Sequence, residues 1–148
     1  MRLSSLADYA VVMMGAAARH CGSASLVDAE GKKRVRTSAT DLAAETGIPL
    51  PTAQKLGSLL TRAGLLKSVR GQGGGIKLAR PAAAISLADI IEAIEGPIAM
   101  TNCTNHGSCA CTIEPDCSVK PHWSAVNNAV RGALGGVTLA SLSAGARA

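Results

Sequence analysis

The chain of 148 residues contains no phenylalanine, and its aromatic side chains are limited to Tyr9 and Trp123. Modules that grip unpaired bases stack them on several aromatic rings, so RRM sheets and OB-folds are disfavoured, and a nucleic-acid partner would be duplex. No uninterrupted apolar run approaches the roughly 18 residues of a membrane span, although 47% of the residues are hydrophobic. The opening Arg2-Leu3-Ser4-Ser5-Leu6-Ala7-Asp8 lacks the apolar block of a secretory signal. These absences lead us to expect a cytoplasmic protein without a membrane partner, one compact domain with an appendage. Neither cysteine nor serine shows a persuasive base partner, which argues against an enzyme.

What is present is an uneven charge. Up to Pro81 there are twelve lysines and arginines against five acids, a surplus of seven; from Ala82 onward three bases face five acids, and the chain as a whole carries +5. A basic lobe beside a near-neutral one suggests a polyanion-binding domain over 1–81, joined over 82–148 to something else.

Helix starts are marked by a hydroxyl residue followed three positions later by an acid, at Ser5/Asp8, Ser38/Asp41 and Ser86/Asp89. Leu6, Tyr9, Ala10, Met13, Ala16 and Ala17 then recur at helical spacing, predicting a helix to about Arg19 that Gly22 ends. Residues 22–36 have no period and hold Lys32, Lys33, Arg34 and Arg36, a loop or short hairpin. A short helix over 38–46 stops at Gly47, and Pro51 suits the first turn of another running to about Ala63. Two helices joined across a Gly turn predict a helix-turn-helix. The following Leu65–Arg70 and Ile76–Arg80, separated by Gly71-Gln72-Gly73-Gly74-Gly75, read as two strands around a glycine turn, a wing. The glycine run lacks the G-x-x-x-x-G-K-[ST] spacing of a nucleotide loop; flanked by Arg70 and Lys77, it suits close approach to a DNA backbone or minor groove.

Residues 86–95 predict an amphipathic helix ended by Gly96-Pro97, and 97–121 is polar, irregular and cysteine-rich. Trp123, Val126, Val130, Ala133, Leu134 and Val137 then return at helical spacing, with only 138–148 beyond. Such a late helix has few partners in its own chain; packing back on the domain is one reading, and a homodimer interface is the one expected. The fold class expected is mainly α: a winged helix-turn-helix domain with a long C-terminal dimerisation helix.

Four of the five cysteines, Cys103, Cys109, Cys111 and Cys117, fall within fifteen positions. Clustered thiols in a reducing compartment point to metal binding or redox chemistry rather than disulfides. A structural zinc site and an iron–sulfur cluster both remain open on chemistry alone, with His106 and His122 as neighbouring donors. Cys21, apart from these, reads as a small buried residue. Asp8 reads first as a capping acid.

Met1-Arg2-Leu3 with Tyr9-Ala10, Ala63-Gly64-Leu65, the wing Ser68–Gly75, and three cysteines ahead of Trp123 together resemble the Rrf family of winged-helix transcription regulators, IscR/NsrR-like. The segments Cys117–Trp123, Asn127-Asn128-Ala129 and Gly136–Ala140 are similar to the subgroup that regulates the SUF iron–sulfur assembly operon. The resemblance implies a homodimeric DNA-binding regulator, expected to be a repressor of iron–sulfur assembly genes, that senses through a cluster of [2Fe-2S] or [4Fe-4S] type. It implies Cys103 and Cys117 as outer ligands and Cys111 as the middle one. The fourth-ligand histidine of IscR-like members falls on Lys120, a departure that leaves Cys109, His106, or Asp8 from the second subunit as substitutes; Cys109 is favoured because four thiolates complete a site within one chain. For DNA, the resemblance implies Thr52, Gln54 and Lys55 as reading positions, Arg70 with Gly71, Gln72, Gly73 and Gly74 in the wing, and Arg2. A nitric-oxide or redox sensor and a zinc-stabilised DNA-binding protein are the alternative readings.

Overall fold

The computed structural model describes residues 2–22, 26–27, 33–34, 37–71, 74–104 and 111–145. Helix α1 (Ser5–Gly22) leads into a two-residue strand pair, β1 (Leu26–Val27) antiparallel to β2 (Lys33–Arg34). Helices α2 (Ala39–Thr46) and α3 (Leu50–Arg62) follow, then the hairpin of β3 (Leu66–Val69) and β4 (Gly75–Leu78). Helices α4 (Leu87–Glu95), α5 (Lys120–Gly135) and α6 (Leu139–Gly145) complete the chain.

The capping residues explain where these helices begin and stop. Ser38 accepts the Asp41 N–H at 3.0 Å while the Asp41 carboxylate accepts the Ser38 N–H at 3.0 Å, a reciprocal box that starts α2. Ser86 and Asp89 repeat the arrangement at α4. A hydroxyl cap of this kind stabilises a helix by about 1 kcal/mol. Gly47 ends α2 at φ +74°, a left-handed conformation that a side chain would strain, and turns the chain into α3. The expected third box is corrected: Ser4, not Ser5, caps α1, accepting the Ala7 N–H at 3.1 Å. Because Ala7 then occupies the position opposite the cap, Asp8 has no backbone amide to return to and stands exposed in the first turn.

Met13 and Met14 of α1, Leu42 of α2, Leu56 and Leu60 of α3, Leu65, Leu66, Ile85, Ile90 of α4 and Leu139 of α6 are all fully or almost fully buried in one core. That core therefore draws on both sides of Pro81. The hairpin is fastened to the helix-turn-helix by Thr37, which pairs with Ile76 through Ile76 N–H to Thr37 C=O at 2.6 Å and the reverse bond at 3.3 Å.

Two expectations about helix ends are revised. α1 runs through Cys21, which is exposed rather than buried; its Sγ accepts the Leu78 N–H at 3.4 Å, so the last turn of α1 abuts β4. The stretch after Thr138 is not a bare tail but α6, which packs on α1. Leu139 N–H donates to Ile85 C=O and Leu87 N–H to Val137 C=O, both at 2.8 Å, so the chain returns after α5 to the start of α4. α5, by contrast, buries only Asn127 among its side chains and touches α4 and the 3-10 turn Asn102–Thr104.

Candidate nucleic-acid interface and cysteine site

α3 is amphipathic. Ala53, Leu56, Gly57 and Leu60 face the core, while Gln54 and Lys55 are exposed and Thr52 is half-buried. The three predicted reading positions thus lie on the side of α3 away from the core, at its N-terminal end. The same exposed side carries Ser58 and Arg62, which the sequence analysis did not single out. Their signal was the spacing of four and eight from Gln54, which keeps residues on one helix face.

In the hairpin, Leu66 pairs with Leu78, Lys67 with Lys77, Ser68 with Ile76 and Val69 with Gly75. Alternation sends Leu66 and Ile76 inward and leaves Lys67 and Lys77 together on the other face. Arg70 is exposed at the turn. The turn closes through Gly74 N–H to Gly71 C=O at 2.8 Å. Gly71 has φ +96°, and a Cβ on Gly74 would sit 2.3 Å from the Val69 carbonyl oxygen, so glycine at these two positions is a steric requirement. Gln72 and Gly73 lie outside the described residues. Lys55, Arg62, Lys67, Arg70 and Lys77 have no acidic partner among the described residues.

Three acids among the described residues, Glu45, Asp89 and Glu92, are committed to other partners. Glu45 of α2 receives Arg19 at 2.7 Å and also His20, binding α2 to the end of α1. Partial burial raises its carboxyl, but the bonds from Arg19 and His20 outweigh that and hold it below the usual range. Asp89 is likewise raised by burial and lowered more by the Ser86 bonds, with Arg80 at 3.8 Å and Arg131 adding to the depression. Glu92 of α4 takes the Arg131 guanidinium of α5 in a two-pronged bond at 3.0 and 3.1 Å, which raises the arginine further. Arg2 is exposed beside Leu3 and Glu95, in a groove that also reaches Val130 and Leu134 of α5.

Cys111 and Cys117 line one cleft at the entrance to α5, together with Glu114, Pro115, Lys120 and Pro121. Lys120 is bonded to Glu114 across it. Cys103 is half-buried on the turn Asn102–Thr104, with the Thr101 hydroxyl 3.2 Å from its sulfur. Cys109 and His106 lie outside the described residues. His122 is exposed in the first turn of α5. Among the described residues no three histidine, cysteine or acidic side chains converge as a metal site, so Cys103, Cys111, Cys117 and Asp8 are not brought together within one chain. No helix among the described residues is long and apolar enough to cross a membrane.

Comparison with known proteins agrees with this architecture. The Rrf2 family model, described as an iron-dependent transcriptional regulator, matches residues 3–145. The transcriptional regulator IscR of Photobacterium profundum is 32% identical over 142 residues, which span 96% of this chain and 75% of that protein. Among solved structures, CymR, the global cysteine regulator of B. subtilis, superimposes with TM-score 0.68 at 26% identity, covering 97% of both chains. IscR of T. potens does so with TM-score 0.67 at 27% identity, covering 99% of this chain and 89% of the other. With its winged helix-turn-helix and a family match over nearly its whole length, the chain belongs to the Rrf2 family and is a DNA-binding transcriptional regulator, not an enzyme.

Proposed function

We propose that the protein is a homodimeric repressor of iron–sulfur assembly genes that senses iron and redox state through a thiolate-held iron–sulfur cluster. The observation that carries this reading is the cleft at the start of α5, onto which Cys111 and Cys117 both open. Soft thiols sharing one cleft fit such a group by donor chemistry. In this reading Cys103 completes the trio, and Cys109, His106 or Asp8 of a second copy supplies the fourth donor. Lys120 does not: its ammonium is held by Glu114 and offers no lone pair. A bound cluster supplies a link between the cysteine loop and α5 that depends on iron supply and oxidation state.

α3 is assigned to the major groove, where Gln54 can pair with adenine and Lys55 can donate to guanine, with Thr52 beside them. Arg70 is assigned to the minor groove, the side-chain-poor turn Gly71–Gly74 letting the backbone come close. Arg2 is assigned a supporting phosphate contact. α5, which leaves Val126 40% exposed, is assigned to the two-fold interface.

The test is visible absorption with iron, sulfide and zinc analysis on anaerobically purified protein, followed by binding to its own promoter DNA before and after cluster removal. A brown chromophore with iron and sulfide, and a tenfold to hundredfold change in affinity, roughly 1.4 to 2.7 kcal/mol of coupling, is the expected result. Zinc alone would give the loop a structural role, and an affinity indifferent to cluster removal would refute sensing. Light scattering in the same samples should return the mass of two chains.

A further inference from the structure

We infer that Asn127 is a positioning residue for Cys103: its buried amide clasps both ends of the turn that carries this thiol and so fixes it to α5. The inference rests on the reading of Cys103 as a cluster ligand, but the clasp itself is a property of the chain alone.

α5 has 16 residues, and Asn127 is the one whose side chain is buried, at 8% exposure. A buried primary amide is costly unless its oxygen and nitrogen are both bonded. Here they are, and to the same short segment. Oδ1 accepts the Met100 N–H at 2.9 Å, and Nδ2 donates to the Thr104 Oγ1 at 2.9 Å. The orientation of the amide is set by its partners, because the Met100 N–H can only donate. Cys103 lies between these two anchors. The Thr104 hydroxyl donates to the Thr101 carbonyl at 2.9 Å and lies 3.4 Å from the Thr101 hydroxyl, which itself lies 3.2 Å from the Cys103 sulfur. One side chain of α5 therefore controls the turn from both sides, with a hydroxyl relay ending at the thiol.

The second half of the argument is where Cys117 stands. It precedes Lys120, the first residue of α5, by three positions and is tied to that helix by the chain itself. Cys103 is fourteen positions earlier in sequence and has no such tie. The Asn127 clasp supplies one, so the two outer thiols share a single rigid reference. Leucine would fill the space without either bond, and aspartate would keep the acceptor but lose the donor.

The experiment measures thiol reactivity on the full-length, chelator-treated, metal-free protein. Limiting iodoacetamide is added under anaerobic conditions, and the alkylation rate of each cysteine is read by peptide mass mapping. In Asn127→Leu the rate at Cys103 should rise at least fivefold while Cys111 and Cys117 stay within twofold of wild type. Asn127→Asp, which retains the Met100 bond, should fall between the two. Thr104→Val, isosteric but lacking both the Nδ2 acceptor and the bond to the Thr101 carbonyl, should show the same selective rise, while Asn127→Asp, which leaves the Thr104–Thr101 bond in place, decides the matter if Asn127→Leu does not fold. Rates at all three thiols rising together, or Cys103 unchanged within twofold, would overturn the clasp. Reconstitution with iron and sulfide is then followed by visible circular dichroism, where Asn127→Leu should lose the wild-type band pattern and Asn127→Asp recover part of it. A wild-type protein that takes up no iron or sulfide would instead sink the cluster reading, leaving the alkylation rates to judge the clasp.

Discussion

The register of the wing places Lys67 directly opposite Lys77, both on the face turned away from the core and neither with an acidic partner among the described residues. Like charges facing each other across a strand pair cost stability, about 0.2–1 kcal/mol. An anion lying over the pair removes that cost, and in a DNA-binding chain the anion is a backbone phosphate. The perturbation is Lys67→Gln with Lys77→Gln. Each phosphate contact contributes about 0.9 to the slope of log affinity against log salt. Over a fourfold rise from about 50 to 200 mM that is roughly 3.5-fold per contact, so the wild type should lose about 12-fold more affinity than the double variant. Fluorescence anisotropy on a random-sequence duplex of about 30 base pairs reads this without knowledge of the operator. Relieving the repulsion should leave Tm unchanged or raise it slightly. An unchanged salt slope, or a slope that falls together with Tm, would refute the reasoning.

Three further outcomes are expected. Leu139→Ala removes a fully buried side chain from the core and should lower stability by about 3 kcal/mol, roughly 6–12 °C in Tm at fixed protein concentration; a loss under about 1 kcal/mol would mean that α6 is not part of the folding unit. Glu45→Gln should destabilise the protein at neutral pH. Because the folded carboxyl titrates below its unfolded value of about 4.3, the difference in urea midpoint from wild type should shrink as pH falls through and below that region; a difference independent of pH would mean that the Arg19 and His20 bonds do not act through charge. Arg131→Met should loosen α5 from α4, seen as faster amide exchange in α5 and the 96–104 segment with little change in the wing.

Where the pattern of residues is local, the sequence reading succeeds. Ser38/Asp41 with Gly47, and Ser86/Asp89 with Gly96, announce α2 and α4 within a residue because caps act within one turn. The wing is equally readable from its alternation around five residues rich in glycine. Ser5/Asp8 fails by one position because Ser4 and Ser5 are adjacent hydroxyls, and only geometry decides which one reaches an amide. α6 is missed because Leu139–Gly145 is seven residues with a weak pattern, and what stabilises it is docking on α1 rather than propensity. The same holds for Asn127. Its polarity reads as surface, and its burial follows from two partners more than twenty positions away. Four clustered thiols identify the loop as chemically special, yet spacing alone does not say that Cys111 and Cys117 share a cleft while Cys103 is carried by a separate turn.

The bridge between Ser86 and Thr138 makes the intervening segment a closed excursion rather than a tail. It starts beside Ile85, keeps Ile90 of α4 in the core, and returns to that core at Leu139. A helix hung on a free end can shift without consequence for the body it hangs from. α5 has no free end: a displacement at the cysteine turn reaches two neighbouring anchor points, on α4 and α6, that both pack on α1. Those anchors sit in the core that also orients α3 and the wing. Clamped at its base in this way, the excursion is yoked by two adjacent strands of chain to the core that also holds α3 and the wing.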